Sequence, residues 1–266
     1  MQLLKQYTPK DGYTALVKPG RDGIDLIELG MLRQPAGSTY RGTSEGEVCL
    51  VLLGGLANVS AGETQFISVG SRSNVFGGRA TAVHIPPGHK FKLEAIAPIE
   101  AVVIRTPSDL AGEPRLIGPE RVKVSTRGKE ANERQVHDII DANFPSKSLL
   151  VGETFSGPGK WSSYPPHKHD TMNPPEETRM EEVYFFKISP PQGFGMQRIY
   201  SPEKQFDQTY IVKDNSLVKL PFGYHPVAAA PGYSLYYLWV LAGEPRNYVL
   251  YDDPEHKWVK EAEQAS

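Results

Sequence analysis

Short apolar runs, each ended by turn residues, are the dominant pattern along this chain of 266 residues. Examples are EVCLVLLGG, TAVHIPPG, FKLEAIAPIEAVVIRTP, EEVYFFKISP and SLYYLWVLAG. These runs are rich in β-branched and aromatic residues, which favour strands, and 25 Gly and 23 Pro residues are spread between them. Many short strands separated by turns are typical of sandwiches and barrels. The pattern therefore predicts an all-β fold.

A polar segment in the middle of the chain divides this pattern in two. The segment Thr126–Ser148 contains one short helix-compatible stretch, Val136–Ile140. On each side of it, a strand that starts with Glu-Val is followed roughly 40 residues later by a Pro-Gly or Pro-x-Gly sequence and a His. We predict a duplicated fold of two tandem β-sandwich or jelly-roll barrels, residues 1–120 and 149–266, joined by a connection with a short helical segment at 121–148.

Composition and charge exclude several classes of function. The formal net charge is -2 and basic residues form no stripe, so nucleic acid is not an expected partner. No apolar run reaches the roughly 20 residues of a membrane helix, and the N-terminus lacks the pattern of a signal peptide. The single cysteine, Cys49, lies in an apolar run and is expected to be a buried strand residue. We expect a cytoplasmic protein, and the exposed strands of paired barrels leave room for a homo-oligomer.

Metal-binding chemistry is indicated by the stretch WSSYPPHKHDTMNPPEETRMEEVYFF. Residues two apart on a strand share a face, so His167 and His169 can reach one metal ion. Glu181 and Glu182 point to opposite faces, so only one of them can join the two histidines. His225 in PFGYHP is the most plausible third imidazole. Three histidines and one glutamate suit Zn, Fe, Mn or Ni in a site with open positions.

The other polar residues near this pattern are interpreted as structural. His84, His89, His137 and His256 stand alone in polar or mixed surroundings and are not expected to be ligands. Asp170 is expected to orient His169 or to stabilise a turn. The first half contains no His-x-His sequence, so only the second half is expected to hold a metal.

These motifs resemble the cupin superfamily, whose members carry His-x-His with a Glu and, later, Pro-x-Gly with a His. The spacing departs from the usual pattern, because twelve residues separate His169 from Glu182. A narrower resemblance covers about residues 126–250. The sequences WSSYPPHKHD, EEVYFF, PPQGFGMQRIYSP and YHPVAAAPGYSLYYLWVLAG are similar to the 5-deoxy-glucuronate isomerase family of myo-inositol catabolism. That family is in turn similar to 5-keto-4-deoxyuronate isomerase, a zinc cupin. Lys160 stands where Asn is expected.

The resemblance implies an enzyme, an intramolecular oxidoreductase acting on a sugar acid. Its reaction converts 5-deoxy-D-glucuronate to 2-deoxy-5-keto-D-gluconate through a metal-stabilised enediolate. It favours Glu182 as the ligand, beside His167, His169 and His225, with Glu181 as the alternative. The cofactor is then a divalent metal, with Zn as first choice and Mn, Fe or Ni as alternatives.

The remaining roles follow from the chemistry that the resemblance implies. Candidates for the base are Tyr184, Tyr224, Tyr236 and a metal-bound hydroxide, and we favour Tyr184 and Tyr236. The substrate carboxylate favours an arginine, for which Arg198 and then Arg179 are the choices. Gln197 and Tyr224 are expected to contact the substrate. Three alternatives stay open: a uronate isomerase with another substrate, an iron dioxygenase, and a sugar-binding or storage protein without turnover.

Overall fold

Antiparallel strands form nearly all the regular structure in the computed structural model, which describes residues 1–265. The strands before residue 120 are β1 (Leu4–Gln6), β2 (Gly12–Val17), β3 (Glu28–Gln34), β4 (Thr39–Thr43), β5 (Glu47–Gly54), β6 (Ala57–Ala61), β7 (Thr64–Val69), β8 (Thr81–Ile85), β9 (Lys90–Ala95), β10 (Ile99–Thr106) and β11 (Arg115–Ile117). The later strands are β12 (Lys123–Arg127), β13 (Arg134–Ile140), β14 (Leu149–Ser156), β15 (Trp161–Ser162), β16 (His167–Lys168), β17 (Glu181–Ser189), β18 (Phe194–Ser201), β19 (Phe206–Lys213), β20 (Ser216–Leu220), β21 (Val227–Ala229), β22 (Ser234–Ala242) and β23 (Tyr251–Asp252). Two 3₁₀ turns, Val75–Gly77 and Glu130–Asn132, and one helix, α1 (Trp258–Ala265), complete the regular structure of the described residues. The predicted all-β class is confirmed.

The strands form two sandwiches in tandem, as predicted. In the first, the six-stranded sheet β11-β8-β5-β10-β3-β2 faces the four-stranded sheet β4-β9-β6-β7 across an apolar core. In the second, the seven-stranded sheet β1-β20-β17-β22-β14-β13-β12 faces the four-stranded sheet β15-β21-β18-β19. The short strands β16 and β23 pair with each other. Each sandwich therefore has one large sheet and one smaller sheet that encloses its interior.

The two large sheets pack against each other, which makes a third core between the sandwiches. Val183 and Phe185 of β17 and Cys49 of β5 belong to this shared core. Tyr184 and Phe186 alternate with them and face the interior of the second sandwich. Because both faces of these strands are buried, their sequences are continuous apolar runs rather than alternating ones. Burying a side chain such as Phe185 stabilises the fold by about 1.5–3 kcal/mol.

The connection between the halves differs from the prediction. The stretch Val136–Ile140, interpreted as helix-compatible, lies in β13, and β13 pairs with both β12 and β14 at one edge of the seven-stranded sheet. Alternate residues of β13 face opposite sides of the sheet, and its β-branched residues favour this extended conformation. The structure therefore corrects the helical segment at 121–148 to a β-hairpin with one 3₁₀ turn.

The other end of the same sheet carries the first strand of the chain. β1 pairs with β20, so residues 4–6 complete the sheet of the second sandwich. The division into residues 1–120 and 149–266 stays a prediction. Among the described residues, no helix is long and apolar enough to cross a membrane.

Candidate metal centre

Three side chains from separate segments converge inside the second sandwich. His169 follows β16, Glu182 is the second residue of β17, and His225 lies just before β21. One ligand atom from each lies within 4.8 Å of the other two. Glu182 Oε2 is 3.1 Å from His169 Nε2 and 3.4 Å from His225 Nε2. All three side chains are buried, so this is a polar cluster in an otherwise apolar interior.

The hydrogen bonds of the two imidazoles leave their Nε2 atoms turned towards each other. His169 Nδ1 donates to the carbonyl of Met180 at 2.7 Å, and His225 Nδ1 donates to the carbonyl of Gly223 at 2.9 Å. A carbonyl can only accept, so each Nδ1 carries a proton, and each Nε2 offers a lone pair when its imidazole is neutral. His225 Nε2 is buried without a hydrogen-bond partner. Two imidazole lone pairs and one carboxylate facing a common point fit a divalent cation.

The pKa values of the two imidazoles are shifted in opposite directions. Burial lowers the pKa of His225 to about 4, which keeps it in the neutral form that binds metals. Burial opposes the charged form of His169 as well, but the hydrogen bond and charge of Glu182 outweigh burial and raise its pKa. Glu182 and His169 thus attract a positive charge between them. A divalent cation would take the place of that shared proton.

His167 lies beside this group rather than within it. Its ring packs edge-on against the ring of His225, with centroids 5.0 Å apart, and its centroid is 6.4 Å from that of His169. Burial and the neighbouring His225 and His169 hold the pKa of His167 well below its usual value. The structure therefore brings together three of the four predicted ligands directly, with His167 as the adjacent fourth candidate.

Glu181 serves the opposite face of the sheet. Its Oε1 accepts hydrogen bonds from the backbone N–H groups of Leu26 and Ile27, and its Oε2 accepts one from Asp25, all at 2.7 Å. It therefore joins the second sandwich to a loop of the first. Alternation along β17 leaves Glu182 as the carboxylate that faces the histidines.

An outer ring of charged groups holds the two loops that carry His169 and His225. Asp170 Oδ2 accepts a hydrogen bond from the backbone N–H of Gly223 at 2.7 Å, and Lys168 Nζ donates to Asp170 Oδ1 at 2.9 Å. Lys168 Nζ also donates to both carboxylate oxygens of Glu177, at 3.0 and 2.7 Å. Asp170 therefore ties the His-x-His segment to the loop before His225. Such contacts orient ligands without binding the metal.

The Pro-rich segment between His169 and Glu182, TMNPPEETRM at residues 171–180, folds back beside the site. Residues 171–176 are exposed and line no part of the cavity beside Glu182 and His167. Thr178 donates from Oγ1 to the carbonyl of Asn247 and accepts at the same atom from the N–H of Val249. Asn247 and Val249 flank Tyr248, so these two bonds fix the backbone around Tyr248. The centroid of the Tyr248 ring lies 6.0 Å from that of His169. The insertion thus positions Tyr248, a residue that the sequence did not single out.

A cavity of about 190 Å³ opens directly beside Glu182 and His167. Its inner wall carries three hydroxyls in contact, because Ser163 Oγ lies 3.1 Å from Tyr184 Oη and 3.4 Å from Tyr237 Oη. The residues that line the cavity are Arg127, Arg134, Val136, Asp138, Ile140, Asp141, Ala142, Leu150, Thr154, Ser163, His167, Glu182, Tyr184, Tyr237, Trp239 and Tyr248. Two arginines and two aspartates of this wall come from the segment that was interpreted as a connection. These four residues reach the cavity because β12 pairs with β13 and β13 pairs with β14, and local sequence does not reveal this pairing.

Among the predicted catalytic residues, Tyr184 lies in this cavity and Tyr236 does not. Tyr236 is buried in the core between the sandwiches, where its hydroxyl donates to Glu153 Oε1 at 2.8 Å. Neighbouring residues of a strand face opposite sides of a sheet, so Tyr237 is the tyrosine of β22 that reaches the cavity. This corrects the prediction of Tyr236 as a catalytic residue.

The predicted substrate contacts also lie outside the cavity. Arg198 is partly exposed and donates to Asp207 from Nε at 2.8 Å and from Nη2 at 2.7 Å. Tyr224 stacks on Tyr200, with centroids 5.0 Å apart, beside a separate surface pocket. Both side chains line that separate pocket and not the cavity beside Glu182. This corrects their prediction as substrate-binding residues of the metal site.

Arg179 and Gln197 have different surroundings but are also absent from the cavity wall. Arg179 is exposed. Gln197 is fully buried on β18, and both polar atoms of its side chain have no hydrogen-bond partner. The alternation that sends Arg198 outwards turns Gln197 into the sandwich interior. Arg179 and Gln197 therefore do not line this cavity, and their roles as substrate contacts stay predictions.

Comparisons with known proteins agree with the resemblance seen in the motifs. The profile of the KduI/IolB family matches residues 3–259. Two proteins named 5-deoxy-glucuronate isomerase are similar over nearly their whole lengths. The one from Geobacillus kaustophilus (strain HTA426) is 39% identical over 99% of this chain and 97% of its own. The one from Bacillus subtilis (strain 168) is 37% identical over 92% of each. The predicted isomerase class agrees with these names.

Solved structures extend the comparison to the fold. An IolB-like protein from Salmonella typhimurium LT2 superposes with a TM-score of 0.94 at 36% identity, covering 98% of this chain and all of that one. Oxalate decarboxylase from Bacillus subtilis superposes with a TM-score of 0.66 at 12% identity, covering 94% of this chain and 79% of that one. The second likeness concerns the two-sandwich fold alone. With a family match over almost its full length and relatives at 37–39% identity, the chain belongs to the KduI/IolB family.

Proposed function

We propose that this protein is a metal-dependent aldose–ketose isomerase that converts 5-deoxy-D-glucuronate to 2-deoxy-5-keto-D-gluconate in inositol degradation. The names of the relatives support the reaction. The observation that carries the proposal is the convergence of His169, Glu182 and His225 beside a cavity lined by hydroxyls and charged groups. The reaction moves one hydrogen from a carbon to the adjacent aldehyde carbon, and one proton between their oxygens. It consumes no other reactant.

The metal would be held by His169, Glu182 and His225, with His167 as a fourth ligand. A bound divalent cation supplies Lewis acidity, which polarises a carbonyl and makes the neighbouring C–H more acidic. Nitrogen and carboxylate ligands suit Zn, our first choice, and also Mn, Fe and Ni. The rest of the chemistry falls to residues of the cavity wall.

Tyr184 in the cavity wall is suited to donating a hydrogen bond, not to accepting a proton from carbon. Burial and the charge of Glu182 raise the pKa of Tyr184 well above its usual value, so its hydroxyl stays protonated. Ser163 and Tyr237 continue the chain of hydroxyls from Tyr184. In our proposal these three groups orient the oxygens of the open-chain sugar.

Asp138 is the carboxylate best placed to act as the base. The carboxylates that line the cavity are Asp138, Asp141 and Glu182. Glu182 faces the histidines, and Asp141 is engaged by Lys123. Burial raises the pKa of Asp138, which makes it a stronger base than an ordinary aspartate. Asp138 takes the proton from the carbon beside the aldehyde and returns it to the aldehyde carbon.

Isomerisation in D₂O tests this function directly. Purified protein loaded with Zn²⁺ is incubated with 5-deoxy-D-glucuronate, and the product is followed by NMR. We expect the ketose to form without oxygen consumption, with solvent deuterium at the former aldehyde carbon because an exchangeable carboxyl carries the proton. No ketose from protein that contains stoichiometric metal would contradict the proposal. Oxygen uptake with iron-loaded protein would favour a dioxygenase instead.

A further inference from the structure

Two arginines face each other across the hairpin at the edge of the seven-stranded sheet. Arg127 is the last residue of β12, Arg134 is the first residue of β13, and the two are direct partners in the strand register. Directly opposed residues of an antiparallel pair project from the same face, and both line the cavity. Like charges in this relation destabilise a sheet. Their shared position therefore points to a use for concentrated positive charge.

Within the described part of the chain, neither guanidinium forms a salt bridge with a carboxylate. Among the described residues, no carboxylate oxygen lies within 4.0 Å of a nitrogen of Arg127 or Arg134. Arg198, in contrast, is paired with Asp207 at 2.7 Å. Burial lowers the pKa of Arg134 and the charge of Arg127 lowers it further, although Tyr237 and Glu263 act in the opposite direction. The pair thus presents unused hydrogen-bond donors to the cavity.

The turn of the hairpin holds Arg134 in place. Arg134 Nη1 donates to the carbonyl of Asn132 at 3.0 Å, and Asn132 Nδ2 donates to Glu263 Oε1 at 2.7 Å. Gly128 adopts φ 72°, and a Cβ there would lie 2.8 Å from Arg134 Nη1 and 2.4 Å from the carbonyl oxygen of Asn132. Glycine at this position therefore leaves space for the guanidinium. A donor fixed in advance loses little entropy when an anion binds.

The two arginines and the candidate ligand Glu182 enter the cavity from different strands, and Asp138 and Asp141 line it as well. Arg134, Val136 and Asp138 alternate along β13 on the cavity side, and Glu182 reaches the same cavity from β17, three strands away in the sheet. An open-chain sugar acid carries a carboxylate at one end, which is complementary to the arginines, and a carbonyl at the other, which a metal ion can polarise. Guanidinium groups bind carboxylates with two parallel hydrogen bonds.

We propose that Arg127 and Arg134 bind the carboxylate of the substrate while its carbonyl end lies beside His169, Glu182 and His225. This pair makes the cavity selective for sugar acids over neutral sugars of the same length. The inference rests on the proposed function for the identity of the substrate, but it concerns carboxylate recognition and is measurable by binding alone.

Arg127→Gln and Arg134→Gln test the pair, with Arg198→Gln as the matched control because Arg198 lies outside the cavity. kcat and KM are measured for 5-deoxy-D-glucuronate and for its neutral analogue 5-deoxy-D-glucose. Each cavity variant should lower kcat/KM for the acid by about 10- to 100-fold, as expected for a lost charge-assisted hydrogen bond. The value for the neutral analogue should change by less than about threefold, and Arg134→Lys should recover part of the loss. An equal loss for both substrates, or no loss for the acid, would overturn the inference.

Calorimetric titration separates this inference from the proposed function. Metal-loaded wild type is titrated with D-glucuronate and with D-glucose, and each variant is checked by thermal melting. We expect glucuronate to bind more tightly than glucose, and the difference to disappear in Arg127→Gln, whose exposed position leaves folding intact. This result without turnover of 5-deoxy-D-glucuronate would uphold the arginine pair and refute the isomerase. Turnover with unchanged kinetics in both Gln variants would refute the pair alone.

Discussion

Glu181 and Glu182 are consecutive residues of β17, and their carboxylates serve opposite sides of one sheet. Glu182 Oε2 lies 3.1 Å from His169 Nε2 inside the second sandwich. Glu181 Oε1 lies 2.7 Å from the backbone nitrogen of Ile27, in the first sandwich. One acid thus belongs to the candidate metal centre and the other to the junction between the sandwiches. Substituting Glu182 should therefore affect metal binding and activity, whereas substituting Glu181 should affect stability.

Glu182→Gln should remove the metal and the activity together. The amide loses the negative charge that faces His169 and His225, so we expect a loss of bound Zn²⁺ and a fall in kcat/KM of at least about 100-fold. Metal content is measured by elemental analysis after gel filtration. Glu181→Gln is the control: it should keep the metal but lower the free energy of unfolding by about 1–3 kcal/mol, because three backbone N–H groups, two of them partly buried, lose a charged acceptor. A Glu182→Gln protein with full metal and full activity would exclude Glu182 from the site.

Asp170→Ala should weaken metal binding without removing a ligand. It deletes the bond to Gly223 that holds the loop before His225, and changes of this kind cost about 10- to 100-fold in metal affinity. Competition against a chromophoric chelator measures the affinity. Asp207→Ala, which removes an exposed carboxylate on β19, should leave the affinity unchanged. Equal affinities in both variants would show that Asp170 does not position the site.

Asp138→Asn should slow proton transfer at normal metal content. Loss of a general base costs about 10²- to 10⁴-fold in kcat. Because burial raises the pKa of Asp138, the acid limb of the wild-type kcat profile should lie above the range of an ordinary aspartate and should vanish in the variant. Deuterium exchange into the substrate in D₂O provides the second readout. Exchange at the wild-type rate would reassign the base to another group.

Tyr236→Phe should lower the stability of the protein, whereas Tyr237→Phe should lower its activity. The first removes the hydroxyl that donates to Glu153 in the core between the sandwiches, so we expect a loss of about 0.5–1.5 kcal/mol in unfolding free energy and kcat within about twofold of wild type. The second removes a hydroxyl beside Ser163 in the cavity and should lower kcat. Chemical denaturation and steady-state kinetics on both proteins check the pair. A strong loss of kcat in Tyr236→Phe would restore it as a functional residue.

Glu47 should make the fold sensitive to acid. Burial alone would raise the pKa of its carboxyl, but hydrogen bonds from His84, Ser146 and Ser148 outweigh burial and lower the pKa to about 2 from its usual 4.5. A lowered folded-state pKa stabilises the protein above pH 4.5, and that contribution disappears as the pH falls towards 2. The loss amounts to at most about 3 kcal/mol. Urea unfolding between pH 2 and 5 should show a shallower pH dependence in Glu47→Gln than in wild type. Identical pH profiles would contradict this.

Much of the fold was accessible from the sequence because burial on both faces gives strands a recognisable composition. EVCLVLLGG and EEVYFF are such strands, and both were assigned correctly. Val136–Ile140 was not, because a short apolar stretch with flanking polar residues suits a helix or a strand until its neighbours are known. Pairing with β14 decided between them. The same error hid Arg127, Arg134 and Asp138.

The sequence by itself determined the residue types of the candidate site: the two-residue spacing of His167 and His169, an acid that starts a strand, and a third His after a Pro-x-Gly turn. It also restricted the carboxylate to one of two, because strand neighbours face opposite ways. Only the tertiary structure decided between Glu181 and Glu182, and between Tyr236 and Tyr237. Those choices depend on which face of the seven-stranded sheet packs against the first sandwich, and that is a contact between distant segments. Local sequence encodes alternation along a strand, but the partner on each side is set by packing of the whole chain.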